Sequence, residues 1–106
     1  MAWVILFVAG ILEVVWAYAM KLSDGFSRPG PAAVTLVAMF LSFGLLAVAM
    51  KSLPLGTAYT VWTGIGAVGA FVVGIVVLGE AVTPMRVLAA LLIIGGLVLM
   101  KVSSPA

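Results

Sequence analysis

Residues 2–20 read AWVILFVAGILEVVWAYAM, an apolar run that contains a single charged side chain, Glu13. A stretch of about 20 apolar residues spans the hydrocarbon core of a bilayer as an α-helix. A carboxylate near the centre of such a helix costs on the order of 3 kcal/mol on insertion scales, so a chain tends to lose one that has no use. The run therefore predicts a transmembrane helix that carries a functional acid.

The rest of the chain repeats this apolar pattern, since 66% of its 106 residues are hydrophobic and only 8% are charged. Charges, glycines and prolines interrupt the apolar runs and predict four helices at approximately 2–20, 32–50, 57–78 and 85–100. Lipid offers the backbone no hydrogen bonds, so spans of this length are helical. We therefore expect an all-α integral membrane fold, a four-transmembrane-helix bundle that forms one domain over residues 1–106. The predicted location is the cell (inner) membrane, as a multi-pass protein.

Composition also excludes several kinds of site. The chain has no cysteine and no histidine, which removes thiolate and imidazole ligands and the usual near-neutral acid or base. We expect no metal, no cofactor and no enzymatic activity, with Glu13 carrying proton chemistry largely alone. Because the five basic residues are scattered over the predicted helix ends, they indicate anchoring at the membrane interface and no nucleic-acid partner.

The distribution of basic residues also bears on orientation in the membrane. In an alternating topology Lys51 and Lys101 share the side of the N-terminus, and Lys21, Arg28 and Arg86 lie on the other side. The positive-inside rule therefore favours neither orientation. Copies inserted in opposite directions could pair as an antiparallel, dual-topology homodimer, and four helices alone enclose too little volume for a solvated path. The alternative is a single orientation that is fixed by factors outside this count.

Helical spacing predicts which side chains surround Glu13. Small or polar residues recur on the relevant faces: Gly10 and Trp16 on the first helix, Ser42 on the second, and Tyr59, Trp62, Thr63 and Gly66 on the third. Hydroxyl and indole N–H groups are costly against lipid and useful beside a carboxylate. Two alternatives stay open at this point. Ser42 and Thr63 could each donate to the i−4 carbonyl of their own helix, and Trp16 and Tyr59 could be interfacial anchors.

Several motifs together give the chain a specific resemblance. They are Glu13-Val14-Val15-Trp16-Ala17, Gly25-Phe26-Ser27-Arg28, Lys51-Ser52-Leu53-Pro54, Gly56-Thr57-Ala58-Tyr59, Trp62-Thr63-Gly64-Ile65-Gly66-Ala67, Gly79-Glu80 and Pro84-Met85-Arg86. With these motifs the chain resembles the small multidrug resistance family over nearly its whole length, and within it the guanidinium exporter branch. Two positions depart from the family pattern: Thr60 stands where alanine is common, and Ala89 stands where a glycine is usual in the fourth helix.

The resemblance implies an antiparallel homodimer that exchanges protons for a cation, with Glu13 of both subunits as the shared site. It also implies that Trp16, Ser42 and Trp62 hydrogen-bond to Glu13. The remaining implied roles are a switch between inward-open and outward-open states at Tyr59, and a lipid-facing gap in the second helix lined by Met39 and Phe43. Gly10 and Thr63 complete the expected cavity lining.

The resemblance, together with the donors predicted around Glu13, implies a proton-coupled antiporter that exports guanidinium and small substituted guanidinium ions. Two carboxylates that face one cavity repel each other and hold protons until a cation displaces them. The alternative within the family is a broad exporter of quaternary ammonium or aromatic cations. Outside it, a proteolipid rotor subunit also carries a membrane carboxylate, but its two-helix hairpin does not fit four spans. A third alternative, a purely structural or regulatory small membrane protein, gives no reason for a carboxylate at Glu13 within a membrane helix.

Overall fold

A computed structural model describes residues 1–103, which form four α-helices joined by short loops. They are α1 (Ala2–Leu22), α2 (Pro29–Ala49), α3 (Leu55–Val76) and α4 (Pro84–Ser103). All four are long and apolar enough to cross a membrane. The predicted set of four apolar helices is therefore confirmed. The last three residues of the predicted 1–106 domain lie outside the described residues.

Prolines explain where the helices begin. α2 starts at Pro29, three residues before the predicted start at 32, because proline is tolerated in the first turn of a helix, where its missing N–H has no intrahelical partner. α3 starts directly after Pro54, and α4 starts at Pro84. After α3 the chain turns at Gly79, whose φ of 69° lies in the left-handed region that favours glycine.

The helices pack around α1, which contacts α2 most extensively and α3 next, whereas α4 contacts α3. The buried cluster consists of Leu6, Ala9, Ala49, Leu53, Ala58, Val61 and Trp62. Small residues in this cluster allow the helix backbones to approach closely, as is common between transmembrane helices. The resulting unit is flat, with principal extents of 43 × 34 × 17 Å.

Helix α4 is the outlying element, since none of its residues is buried. Its middle rests on α3 through Leu97, which lies so close to Gly64 that a Cβ there would be 2.6 Å from Leu97 Cδ2. A basic side chain near each end of α4 lies over an aromatic ring. Arg86 Cζ is 5.8 Å from the centroid of the Phe71 ring, and Lys101 Nζ is 4.8 Å from that of the Trp3 ring. These contacts hold α4 at the edge of the unit.

Candidate functional site: a carboxylate between three helices

The centre of the candidate site is the close approach of Glu13 on α1 to Gly66 on α3. A Cβ built on Gly66 would lie 2.8 Å from Glu13 Cγ and nearer still to the carboxyl group. Any side chain at position 66 would therefore either displace the carboxylate or separate α1 from α3. Glu13 is partly buried, and its Oε1 atom is fully enclosed without a hydrogen-bond partner among residues 1–103. Gly66 thus provides the space in which the carboxylate lies.

A chain of hydrogen bonds links the other two helices to the turn that carries Glu13. The indole Nε1 of Trp62 donates to Ser42 Oγ at 2.9 Å, and Ser42 Oγ donates to the carbonyl oxygen of Ala9 at 2.7 Å. Ser42 is fully buried and Trp62 nearly so. In a regular helix the carbonyl at i−4 is the acceptor for the N–H of residue i, so Ala9 also belongs to the hydrogen-bonded turn of Glu13. Trp62 and Ser42 therefore fix this turn through the backbone.

Direct hydrogen bonds from Ser42 and Trp62 to Glu13, which the family resemblance implies, are not made in this structure. An indole has a single N–H and a hydroxyl has a single proton, and here both are donated elsewhere. Ser42 does not bond its own i−4 carbonyl either, because its acceptor lies on α1. Trp16 Nε1 is buried without a hydrogen-bond partner within the described chain, so its donor is not yet used. A role for these three side chains around the Glu13 carboxylate stays a prediction.

Aromatic rings from α1, α2 and α3 form a connected wall that begins at Trp16, about one helical turn after Glu13 on α1. Phe43 meets Trp16 edge-on at 6.3 Å between ring centroids and lies 5.8 Å from Trp62. Tyr59 continues the series at 5.7 Å from Trp62. The face of an aromatic ring attracts cations. Carboxylate and ring faces together suit an organic cation.

The three other residues predicted to line the cavity differ in how exposed they are. Gly10 is buried in the α1–α3 contact, where a Cβ would lie 2.6 Å from Ile65 Cγ2. Ile65 fills the space beside it, so Gly10 allows helix packing here and does not border an open cavity. Met39 is partly buried on α2, one turn before Phe43. Thr63 is exposed and borders a groove of about 780 Å³ that Tyr59 and other α3 residues line.

The Ala9 carbonyl, which accepts the hydrogen bond from Ser42, is not predictable from the sequence. A backbone acceptor is present at every residue, so nothing in the sequence marks this one. The requirement for glycine at position 66 had a partial signal, because Gly66 continues the polar stripe of α3. Its contact with Glu13 depends on how α1 and α3 are rotated toward each other, which spacing along one helix does not determine.

The fold and site define a multi-pass membrane protein of four helices, in which a carboxylate stands one helical turn from a wall of aromatic rings. A family model described as "Small Multidrug Resistance protein" matches residues 1–94. The chain belongs to this family.

Curated relatives match over nearly the full length of both chains. A protein named "Guanidinium exporter" from Escherichia coli strain K12 is 57% identical over 98% of this chain and 99% of its own length. Proteins of the same name from Yersinia pseudotuberculosis and Salmonella typhimurium are 58% and 53% identical over 98% of this chain and 100% and 99% of their own lengths. The family predicted from the sequence motifs is thereby confirmed.

Proposed function

We propose that this protein exports guanidinium and small substituted guanidinium ions in exchange for protons, with Glu13 as the common binding site. One observation carries the proposal: Glu13 is the only acidic residue within any of the four described helices. Its carboxylate lies against Gly66, and the aromatic wall begins about one turn further along α1, at Trp16. The name of the full-length relatives supports guanidinium as the substrate.

The chemistry of the site suits this substrate. A guanidinium ion is planar and presents forked N–H donors that match the two oxygens of a carboxylate. Glu13 Oε1 has no hydrogen-bond partner among residues 1–103, so pairing with such a donor breaks no existing bond; the side chains that enclose this atom must move aside for the ion to reach it. The aromatic faces of Trp16 and Phe43 then cover the apolar plane of the ion.

Export of the cation is coupled to entry of protons because a proton and a cation compete for the same carboxylate. A protonated Glu13 cannot pair with guanidinium, and a bound guanidinium excludes the proton. If the empty site does not change its side of the membrane, each turnover moves the cation one way and protons the other. Rocking between two inverted states then uses an inward proton gradient to drive outward export. Tyr59, on the exposed edge of the aromatic wall, is the residue we assign to this switch.

We further propose that the working unit is an antiparallel homodimer. Tyr59 and Thr63 are exposed on α3, and their hydroxyl groups make no side-chain hydrogen bond within residues 1–103. Such hydroxyls are costly against lipid, and a second copy would cover them. The helix bounds also support the nearly even charge count, with Lys21 in the last turn of α1 and Lys101 in the last turn of α4 at opposite ends of the unit.

Transport by the purified protein in liposomes tests the function. With an imposed pH gradient, exchange driven by guanidinium, methylguanidinium and tetraphenylphosphonium is compared at matched concentrations. We expect robust exchange with the first two and little with the third, because tetraphenylphosphonium has no N–H donors for the carboxylate. The aromatic wall favours one other candidate, a broad exporter of aromatic or quaternary ammonium cations. Transport of tetraphenylphosphonium without a response to guanidinium would establish that candidate instead.

A further inference from the structure

A separate pocket of about 340 Å³ lies between the second half of α1, α3 and the α3–α4 loop. We call it the loop-end pocket, and its lining includes Ala17, Tyr18, Phe71, Gly74, Glu80 and Arg86. Ala17 stands one turn after Glu13 on the same face of α1. The pocket therefore runs from the neighbourhood of the central carboxylate to the end of the molecule that carries the α3–α4 loop.

The acid of this pocket, Glu80, is held in place by the backbone of α3. Its N–H donates to the carbonyl oxygen of Gly74 at 3.0 Å, after the chain has turned at Gly79. The side chain then folds back over Gly74, where a Cβ would lie 2.9 Å from Glu80 Cδ. The Glu80 carboxylate makes no side-chain hydrogen bond within residues 1–103. Its oxygens therefore remain open to a donor from outside the chain.

The same pocket already contains a guanidinium group that the chain itself supplies. Arg86 Cζ lies 5.8 Å from the centroid of the Phe71 ring, within the range of about 6 Å at which a cation is attracted to an aromatic face. Arg86, Phe71 and Glu80 all line the pocket. The ring face is thus occupied by a tethered copy of the functional group that the protein is proposed to export.

We propose that the loop-end pocket is an outer binding site for guanidinium-type cations, in which the Glu80 carboxylate and the Phe71 ring bind the ion after it displaces Arg86. This inference rests on the proposed export of such cations. A site on the way to Glu13 has to release the ion again, and conduction in general requires binding that is weak enough to leave. Lys21 and Arg86 both line the pocket. Their positive charges repel a bound cation and so oppose its tight retention. The outer site therefore concentrates the ion beside the central site without trapping it.

Two substitutions should change the apparent affinity for guanidinium in opposite directions. Glu80→Gln removes the carboxylate and should raise KM about two- to fivefold, which corresponds to one solvent-exposed charge pair. Arg86→Lys keeps the positive charge but removes the planar group from the Phe71 ring, so it should lower KM. Damage to the fold would shift both variants in the same direction, so the opposite signs identify competition for one site.

The transport experiment uses full-length protein in vesicles of zwitterionic phospholipid, which has no net charge, and includes a matched charge control. Asp24→Asn removes an acid from the α1–α2 loop, which lies at the same end of the helix bundle as Glu80. Asp24 does not line the pocket. The substitution should therefore leave KM unchanged. Glu80→Asp retains the charge on a shorter side chain and should give an intermediate KM. Equal KM values for the Asp24→Asn and Glu80→Gln variants, or a raised KM for Arg86→Lys, would refute the outer site.

A binding measurement separates this inference from the export mechanism. In a Glu13→Gln background the central site is disabled, and guanidinium is titrated against protein labelled at arginine with ¹⁵N. The Arg86 Nε–H resonance should shift on titration, and the shift should disappear when Glu80→Gln is added. A resonance that does not respond would overturn the outer site even if wild-type protein transports guanidinium. A wild-type protein that fails to transport guanidinium, with the resonance shift intact, would instead overturn the proposed export.

Discussion

The contact between Glu13 and Gly66 gives the sharpest test of the central site. The Gly66→Ala substitution places a Cβ 2.8 Å from Glu13 Cγ and nearer to the carboxyl group, whereas ordinary contacts of this kind measure 3.4–4 Å. Either the carboxylate rotates away or α1 and α3 separate. Overpacking of this kind typically costs about 1–3 kcal/mol. If that cost falls on the binding geometry, the affinity for guanidinium drops about 5- to 150-fold.

Stability should respond less than affinity to this substitution. Alanine is about 1 kcal/mol more favourable than glycine inside a helix, which offsets part of the overpacking cost. The free energy of unfolding in detergent is therefore expected to fall by no more than about 2 kcal/mol. Guanidinium affinity is measured by proton release on titration of the solubilised protein, and transport is measured in liposomes.

Two other glycines provide matched controls for this prediction. Gly44→Ala adds a methyl group to α2 where no atom lies within 4 Å, so it changes only helix propensity. Gly64→Ala crowds Leu97 of α4, with a Cβ 2.6 Å from Leu97 Cδ2, and leaves Glu13 untouched. We expect both to retain near wild-type affinity. A Gly66→Ala protein whose affinity stays within about twofold of wild type would show that the carboxylate does not need this space.

Three further predictions address the acid, its supporting hydrogen bonds and the topology. Glu13→Gln should abolish both cation-induced proton release in detergent and exchange in vesicles, because no other acid lies within the described helices. The protein should stay folded. Persistence of either activity would contradict the assignment of Glu13 as the binding site. Ser42→Ala leaves the Trp62 N–H without its acceptor and should lower stability in thermal unfolding by about 1–2 kcal/mol, whereas an unchanged stability would show that this chain of bonds is dispensable. Two arginines added beside Lys101 should force all copies into one orientation and reduce transport activity. Co-expression with a variant that arginines in the 21–31 loop bias to the opposite orientation should restore this activity. Full activity of either variant alone would exclude an obligatory antiparallel pair.

The apolar runs predict the fold because lipid leaves the chain few alternatives to helices of membrane length. Helix ends were less predictable. Apolar content does not show that Pro29 already stands in the first turn of α2, or that α4 continues past Met100 through Ser103. Frayed or capped ends depend on local hydrogen bonding, which composition reports poorly.

Within the candidate site, the sequence predicts which residues are present better than it predicts their hydrogen-bond partners. Spacing on α3 selects Trp62 and Gly66 for the face toward Glu13, since both recur at helical intervals. The acceptor of the Trp62 N–H was not predictable, because it depends on the depth at which Ser42 of α2 meets the two other helices. The partner of Ser42 is a backbone atom, Ala9 O, which has no signature in the sequence. The loop-end pocket likewise requires the fold, since it joins the end of α1 to the start of α4.

The marginal position of α4 has a consequence for how the chain can evolve. The residues that position Glu13 all lie in α1, α2 and α3, and α4 follows them in the chain with no buried residue of its own. Substitutions on its outer face therefore alter what the subunit meets in the membrane, lipid or another protein, while the carboxylate keeps its surroundings. Selection can act on association and on the geometry of the Glu13 site as nearly independent traits, even in a chain of only 106 residues.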